Sequence, residues 1–145
     1  MRDAEITDWK GDGTVSIAVA THDKGVVAVV HPTGDGYEVE QLDEKENIFV
    51  HEIEVGDLDG DGVVEIYATP SEPNRLDGRA QKGEVVRYVA GGERTVVADL
   101  GERHAKEILV ADVDGDGREE LYVSVEGEIE GKGGEGFAEP LPDGR

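Results

Sequence analysis

The stretch Asp57-Leu58-Asp59-Gly60-Asp61-Gly62 recurs 55 residues further on as Asp112-Val113-Asp114-Gly115-Asp116-Gly117. A worn copy, Asp8-Trp9-Lys10-Gly11-Asp12-Gly13, stands 49 residues before the first. The flanks repeat as well. Upstream, His51-Glu52-Ile53-Glu54-Val55 matches Lys106-Glu107-Ile108-Leu109-Val110. Downstream, Glu65-Ile66-Tyr67-Ala68-Thr69 matches Glu120-Leu121-Tyr122-Val123-Ser124, and Ser16-Ile17-Ala18-Val19-Ala20 fits the same frame. Self-similarity at such a period marks a repeat architecture.

Each frame alternates as a strand does. Leu121, Val123 and Val125 share one face, with Tyr122 and Ser124 on the other. Two further strand-like runs follow each aspartate loop: Val26 to Val30 and Tyr37 to Leu42 in the first unit, Glu84 to Val89 and Thr95 to Leu100 in the second. Gly34-Asp35-Gly36 and Gly91-Gly92 fall where hairpin turns are needed. Pro70 to Lys82 is expected to be a long polar loop. One repeat is therefore strand, Asp/Gly loop, strand, turn, strand, turn, strand. The units run near 3–47, 48–102 and 103–125; the last supplies two strands, and a Gly/Glu/Pro-rich tail over 126–145 is expected to be irregular.

Composition agrees. The chain has 145 residues, 21 of them glycine and only two phenylalanine, which favours short strands and tight turns over long helices. Valine-rich alternation argues against disorder. Four antiparallel strands at this spacing describe a β-propeller blade. The fold class is all-β, with blades of four-stranded antiparallel sheets and about two and a half to three blades, a partial propeller. Closing a ring takes about four to eight blades. The chain is thus expected to be a piece of a longer protein or a protomer that completes a ring with other copies.

Charge narrows the partners. Thirty-five acidic residues against 14 basic give a net charge of -21, which repels nucleic acid and anionic membranes. The absence of cysteine removes disulfides, zinc-thiolate sites and thiol catalysis. No apolar run approaches the roughly 20 residues of a membrane span, and nothing after Met1 resembles a secretion signal.

The loops carry the chemistry. With Asp57 at position one, carboxylates fall at one, three and five (Asp57, Asp59, Asp61), a glycine at six (Gly62), a carbonyl at seven (Val63) and an acid at nine (Glu65). Asp112, Asp114, Asp116, the Arg118 carbonyl and Glu120 repeat those roles. This spacing lets a short loop fold its oxygens around a hard cation. Calcium fits better than magnesium, because it accepts six to eight oxygens in irregular geometry. Without a cation the clustered carboxylates repel one another. In the first loop Lys10 replaces the acid at three and Ser16 the acid at nine, so this third site, at Asp8 and Asp12, is expected to be empty. An EF-hand is disfavoured: position twelve is Ala68 or Val123, not Glu, and the surroundings are strand-like.

These loops, each entering a strand with an acid two residues past the seventh-position carbonyl, resemble FG-GAP/VCBS repeats, the calcium-loop blades of integrin-type β-propellers. The resemblance covers about residues 3 to 125. It implies calcium between the first two strands of each blade and a toroidal propeller, often extracellular and adhesive. The Phe-Gly and Gly-Ala-Pro signatures of the family are not evident, and Glu65 and Glu120 stand where aspartate is more usual.

Catalysis is not expected. The histidines His22, His31, His51 and His104 are scattered, with no HExxH or GxSxG; His51 is expected at a blade edge. Trp9 is the single tryptophan, a thin basis for a carbohydrate-binding propeller or the non-catalytic part of a secreted polysaccharide-active enzyme. Tyr67 and Tyr122 occupy equivalent positions and are expected to be packing residues. The leading expectation is a protein-binding or scaffold module, extracellular, cell-surface or periplasmic, whose partner is another protein or further blades. The Pro70 to Lys82 loop, with Arg75, Arg79 and Lys82, is a candidate contact; no N-x-S/T sequon or Arg-Gly-Asp is present.

Overall fold

The computed structural model of the chain describes residues 2–73, 82–126 and 138–140. Among them every regular element is a β-strand. Sheet 1 contains β1 (Asp3–Thr7), β2 (Ser16–Ala20), β3 (Val27–Thr33) and β4 (Gly36–Asp43). Sheet 2 contains β5 (Phe49–Gly56), β6 (Glu65–Ser71), β7 (Glu84–Tyr88) and β8 (Thr95–Asp99). Sheet 3 contains β9 (Ala105–Ala111), β10 (Glu120–Val125) and β11 (Ala138–Pro140). Each strand pairs antiparallel with its neighbours in chain order. The four-stranded meander expected for each complete unit is thus present in sheets 1 and 2.

Turn chemistry sets the registers. Thr33 pairs with Gly36, leaving Gly34 and Asp35 as a two-residue turn. Gly91, at φ 68°, turns the chain between β7 and β8. One expectation is corrected. Pro70 and Ser71 belong to β6, paired with Val50 and Phe49, so the expected loop starts later. Residues 74–81 of that loop, with Arg75 and Arg79, lie outside the described residues. Within the tail expected to be irregular, Ala138–Pro140 adds a short strand to β10. Three residues are too few to carry a periodicity signal, which is why alternation does not reveal it.

The sheets stack in chain order, and their first strands β1, β5 and β9 run as neighbours. Period-two alternation gives each sheet two faces. Ala18, Ala20, Val27 and Val29 of sheet 1 pack on Ile53, Ile66, Ala68, Val86 and Tyr88 of sheet 2. The opposite face of sheet 2, with Tyr67 and Val85, packs on Ile108, Val110, Leu121 and Val123 of sheet 3. Sheet 2 is covered on both sides, and every residue of β6 is buried. At the far end of the first interface Asp43 accepts from Tyr88 Oη (2.8 Å) and Arg94 Nε (3.0 Å), while Arg94 Nη2 donates to Glu84 (3.0 Å).

In the first two loops the residue at position two plugs the adjoining interface. Trp9 is buried in the core between sheets 1 and 2, and its indole N–H donates to Glu40 (3.1 Å). Leu58 packs into the core between sheets 2 and 3. Among the described residues no sheet lies beyond Val113, which is 58% exposed.

Candidate metal centre

The three Asp/Gly bends share one backbone design. The glycines at positions four and six hold φ between 64° and 90° in every copy (Gly11 and Gly13, Gly60 and Gly62, Gly115 and Gly117), a region costly for residues with a Cβ. The position-one carboxylate caps the bend. Asp57 Oδ1 accepts from the Asp61 N–H (3.0 Å) and Oδ2 from Gly62 (2.8 Å). Asp112 does the same with Asp116 (3.0 Å) and Gly117 (2.9 Å), and adds Gly115 (2.7 Å). Asp8 takes Asp12 (3.1 Å) and Gly13 (2.9 Å). The position-five acid then accepts from position seven: Asp61 from Val63 (2.8 Å), Asp116 from Arg118 (2.9 Å), Asp12 from Thr14 (2.8 Å). These bonds to Thr14 hold the Asp12 carboxyl below the usual range.

The carboxylates converge to different degrees. Asp112, Asp114, Asp116 and Glu120 each offer an oxygen within 4.8 Å of the others. Glu120 also accepts from the Val113 N–H at 3.0 Å, which orients it over the bend. In the second loop Asp57, Asp59 and Asp61 form such a group, and Glu65 is outside it. Either group could hold a metal ion. Their donors are all oxygens, the set preferred by hard cations.

Glu65 is turned away by its neighbours. Its carboxylate accepts from the Tyr67 hydroxyl and pairs with Arg87 Nε at 2.9 Å. Burial raises the Glu65 pKa, against the lowering influence of Tyr67 and Arg87. Arg87 Nη1 reaches Asp59 as well, at 3.4 Å, so a fixed cation already leans on this loop. In the first unit Ser16 takes the position of Glu65 and bonds His31 Nδ1 (2.9 Å), whose Nε2 meets Glu40 (3.0 Å). Ser16 and His31 are buried.

A second cluster is invisible in the sequence. Phe49 gathers three histidines: His22 stacks on it (centroids 4.9 Å), while His51 (4.5 Å) and His104 (5.8 Å) meet it edge-on. The rings of His51 and His104 lie 5.7 Å apart. Both are buried, and among the described residues none of their ring nitrogens has a hydrogen-bond partner. Burial, helped by the charges of Lys106 and Arg2, pushes His51 down to about 4. His51 lies on β5, an edge strand of sheet 2. Residues 22, 51 and 104 are far apart in sequence, and only the stacking of sheets unites them.

A third feature is the acid row along the first strands. Asp3, Glu52 and Glu107 occupy equivalent positions on β1, β5 and β9. Burial, then Asp3 and Glu107, pushes Glu52 up to about 7. Glu54 is raised by burial and by Glu5 and Asp3.

Of the aromatic candidates, Trp9 and Tyr67 are fully buried and Tyr122 is half-buried. Comparison of the chain with protein families, with curated proteins and with solved structures returns no match.

Proposed function

We propose that the chain is a calcium-stabilised set of β-propeller blades of the FG-GAP/VCBS kind, serving as a non-enzymatic protein-binding or scaffold module. The observation that carries this is the convergence of Asp112, Asp114, Asp116 and Glu120 on a bend whose backbone design recurs in the other two units. Calcium would be held there with the Arg118 carbonyl, and in the second loop by Asp57, Asp59 and Asp61 with the Val63 carbonyl. The ion relieves repulsion among the carboxylates. It also ties β9 to β10 and β5 to β6, because each loop joins those strands. The neighbouring first strands β1, β5 and β9 favour a radial arrangement of sheets.

The carbohydrate-binding alternative is weakened by the burial of Trp9. Loops of modest affinity suit millimolar extracellular calcium, which favours a location outside the cytoplasm. Thermal melting with excess calcium and with excess EGTA tests the proposal. Calcium should raise the melting temperature, as expected for a ligand bound only by the folded state. Equal melting in both solutions would defeat it.

A further inference from the structure

Among the described residues the stacking leaves the outer faces of sheets 1 and 3 uncovered. In sheet 1, Ile6 pairs with Ile17, Ile17 with Val30 and Val30 with Val39, making one apolar row across all four strands. Three of these are well exposed: Ile6 at 70%, Ile17 at 45% and Val39 at 57%. The equivalent residues of sheet 2, Val55, Ile66 and Tyr88, lie beneath sheet 1. Those of sheet 3, Val110 and Leu121, lie beneath sheet 2. Wherever this face recurs in a covered position, the opposite face of the preceding sheet covers it, with a position-two side chain at its end.

An uncovered partner of the right type exists on the same chain. The open face of sheet 3 carries Tyr122, the counterpart of Tyr67, and Leu109, which pairs with it and is 46% exposed. Val113, the counterpart of Trp9 and Leu58, stands exposed beside them. We propose that the Ile6–Ile17–Val30–Val39 face is the seat of a second copy of this chain, docked head to tail through the Leu109–Tyr122 face of its sheet 3. This rests on the blade reading above and continues the two interfaces inside the chain. The contact joins unlike faces, so it closes a ring or grows a filament.

Sedimentation velocity over a hundredfold concentration range, in calcium, tests the docking with Ile17→Glu and Leu109→Glu. The wild type should sediment as an oligomer, and each variant alone as a single chain. An equimolar mixture of the two should form a two-chain species and stop there, because only one productive pair of faces survives. Circular dichroism checks folding, and Val39→Lys replaces Ile17→Glu if that variant loses its strand spectrum. A single-chain wild type overturns the docking, as does a Leu109→Glu chain that still dimerises through two copies of the sheet 1 face, or a mixture that stays at one chain's mass. A single-chain wild type whose melting still rises with calcium leaves the proposed function standing. An oligomer whose melting ignores calcium supports the docking and removes the calcium reading.

Discussion

Glu119 accepts a hydrogen bond from the Asp57 backbone N–H at 2.6 Å, joining the Asp/Gly loop of sheet 2 to the strand entry of sheet 3. Gly56 lies beside it, and a Cβ there would collide with Val110 and the Glu119 carboxylate. Glycine is needed here for close approach, since its φ is unremarkable. Glu119→Ala should cost about 1.5–3 kcal/mol, the range for a hydrogen bond to a charged group. Gly56→Ala should cost about 1–3 kcal/mol by overpacking. Urea denaturation of both single variants and the double checks this; because the residues touch, the two losses should not add.

The two complete loops should differ in affinity. Four carboxylates converge in the third unit, against three in the second, where Arg87 leans on Asp59. Calcium titration by calorimetry should show a tighter site lost in Asp112→Asn and a weaker one lost in Asp57→Asn. At a hundredfold excess over its dissociation constant, each site should add about 2.7 kcal/mol of stability. A tighter site that survives Asp112→Asn would refute the ordering.

Glu52 should favour folding when protonated. Its folded pKa, about 7, lies above the ordinary carboxylate value, so the folded state binds the proton more tightly than the unfolded chain. Its contribution is fully present below about 4.5 and is lost as pH rises through about 7. Glu52→Gln should therefore stabilise the protein at pH 8, by on the order of 1 kcal/mol once solvent screening is allowed for. Melting in EGTA at pH 5 and pH 8 isolates this from metal binding; no gain at the higher pH would contradict the assignment.

His51 acts with the opposite sign. Its folded pKa of about 4 is below the ordinary 6.5, so the unfolded chain takes up the proton first. Stability from this residue is complete above 6.5 and drains away as pH falls toward 4. His51→Phe should flatten the loss of melting temperature between those limits relative to the wild type. The facing groups are His22, His104, Lys106 and Arg2, all of which oppose a charge on His51. An unchanged slope would place the acid sensitivity elsewhere.

The strands and bends were legible because each rests on local chemistry: alternation over five to eight residues, and glycines where φ turns positive. The acidic groups that could hold a metal ion were legible in part. Glu65 and Glu120 share a position in the repeat, yet Glu120 joins its aspartates and Glu65 pairs with Arg87 and Tyr67. Arg87 comes from β7, and sheet 3 has no described counterpart of that strand, so spacing alone does not separate the two acids. The histidine cluster around Phe49 lies deeper still, since it needs the relative placement of three sheets. Sheet 1's exposed apolar row obeys the same alternation as its buried equivalents, and a one-dimensional pattern does not say which copy goes uncovered.

The loop containing Lys10 keeps the full hydrogen-bonded frame of its siblings, through Asp8, Asp12 and two glycines, although two acids of the set are gone. The shape of the bend therefore does not depend on the full set of acids. A lineage, or an engineer, could add or remove these carboxylates unit by unit through single side-chain exchanges, without refashioning the scaffold that carries them.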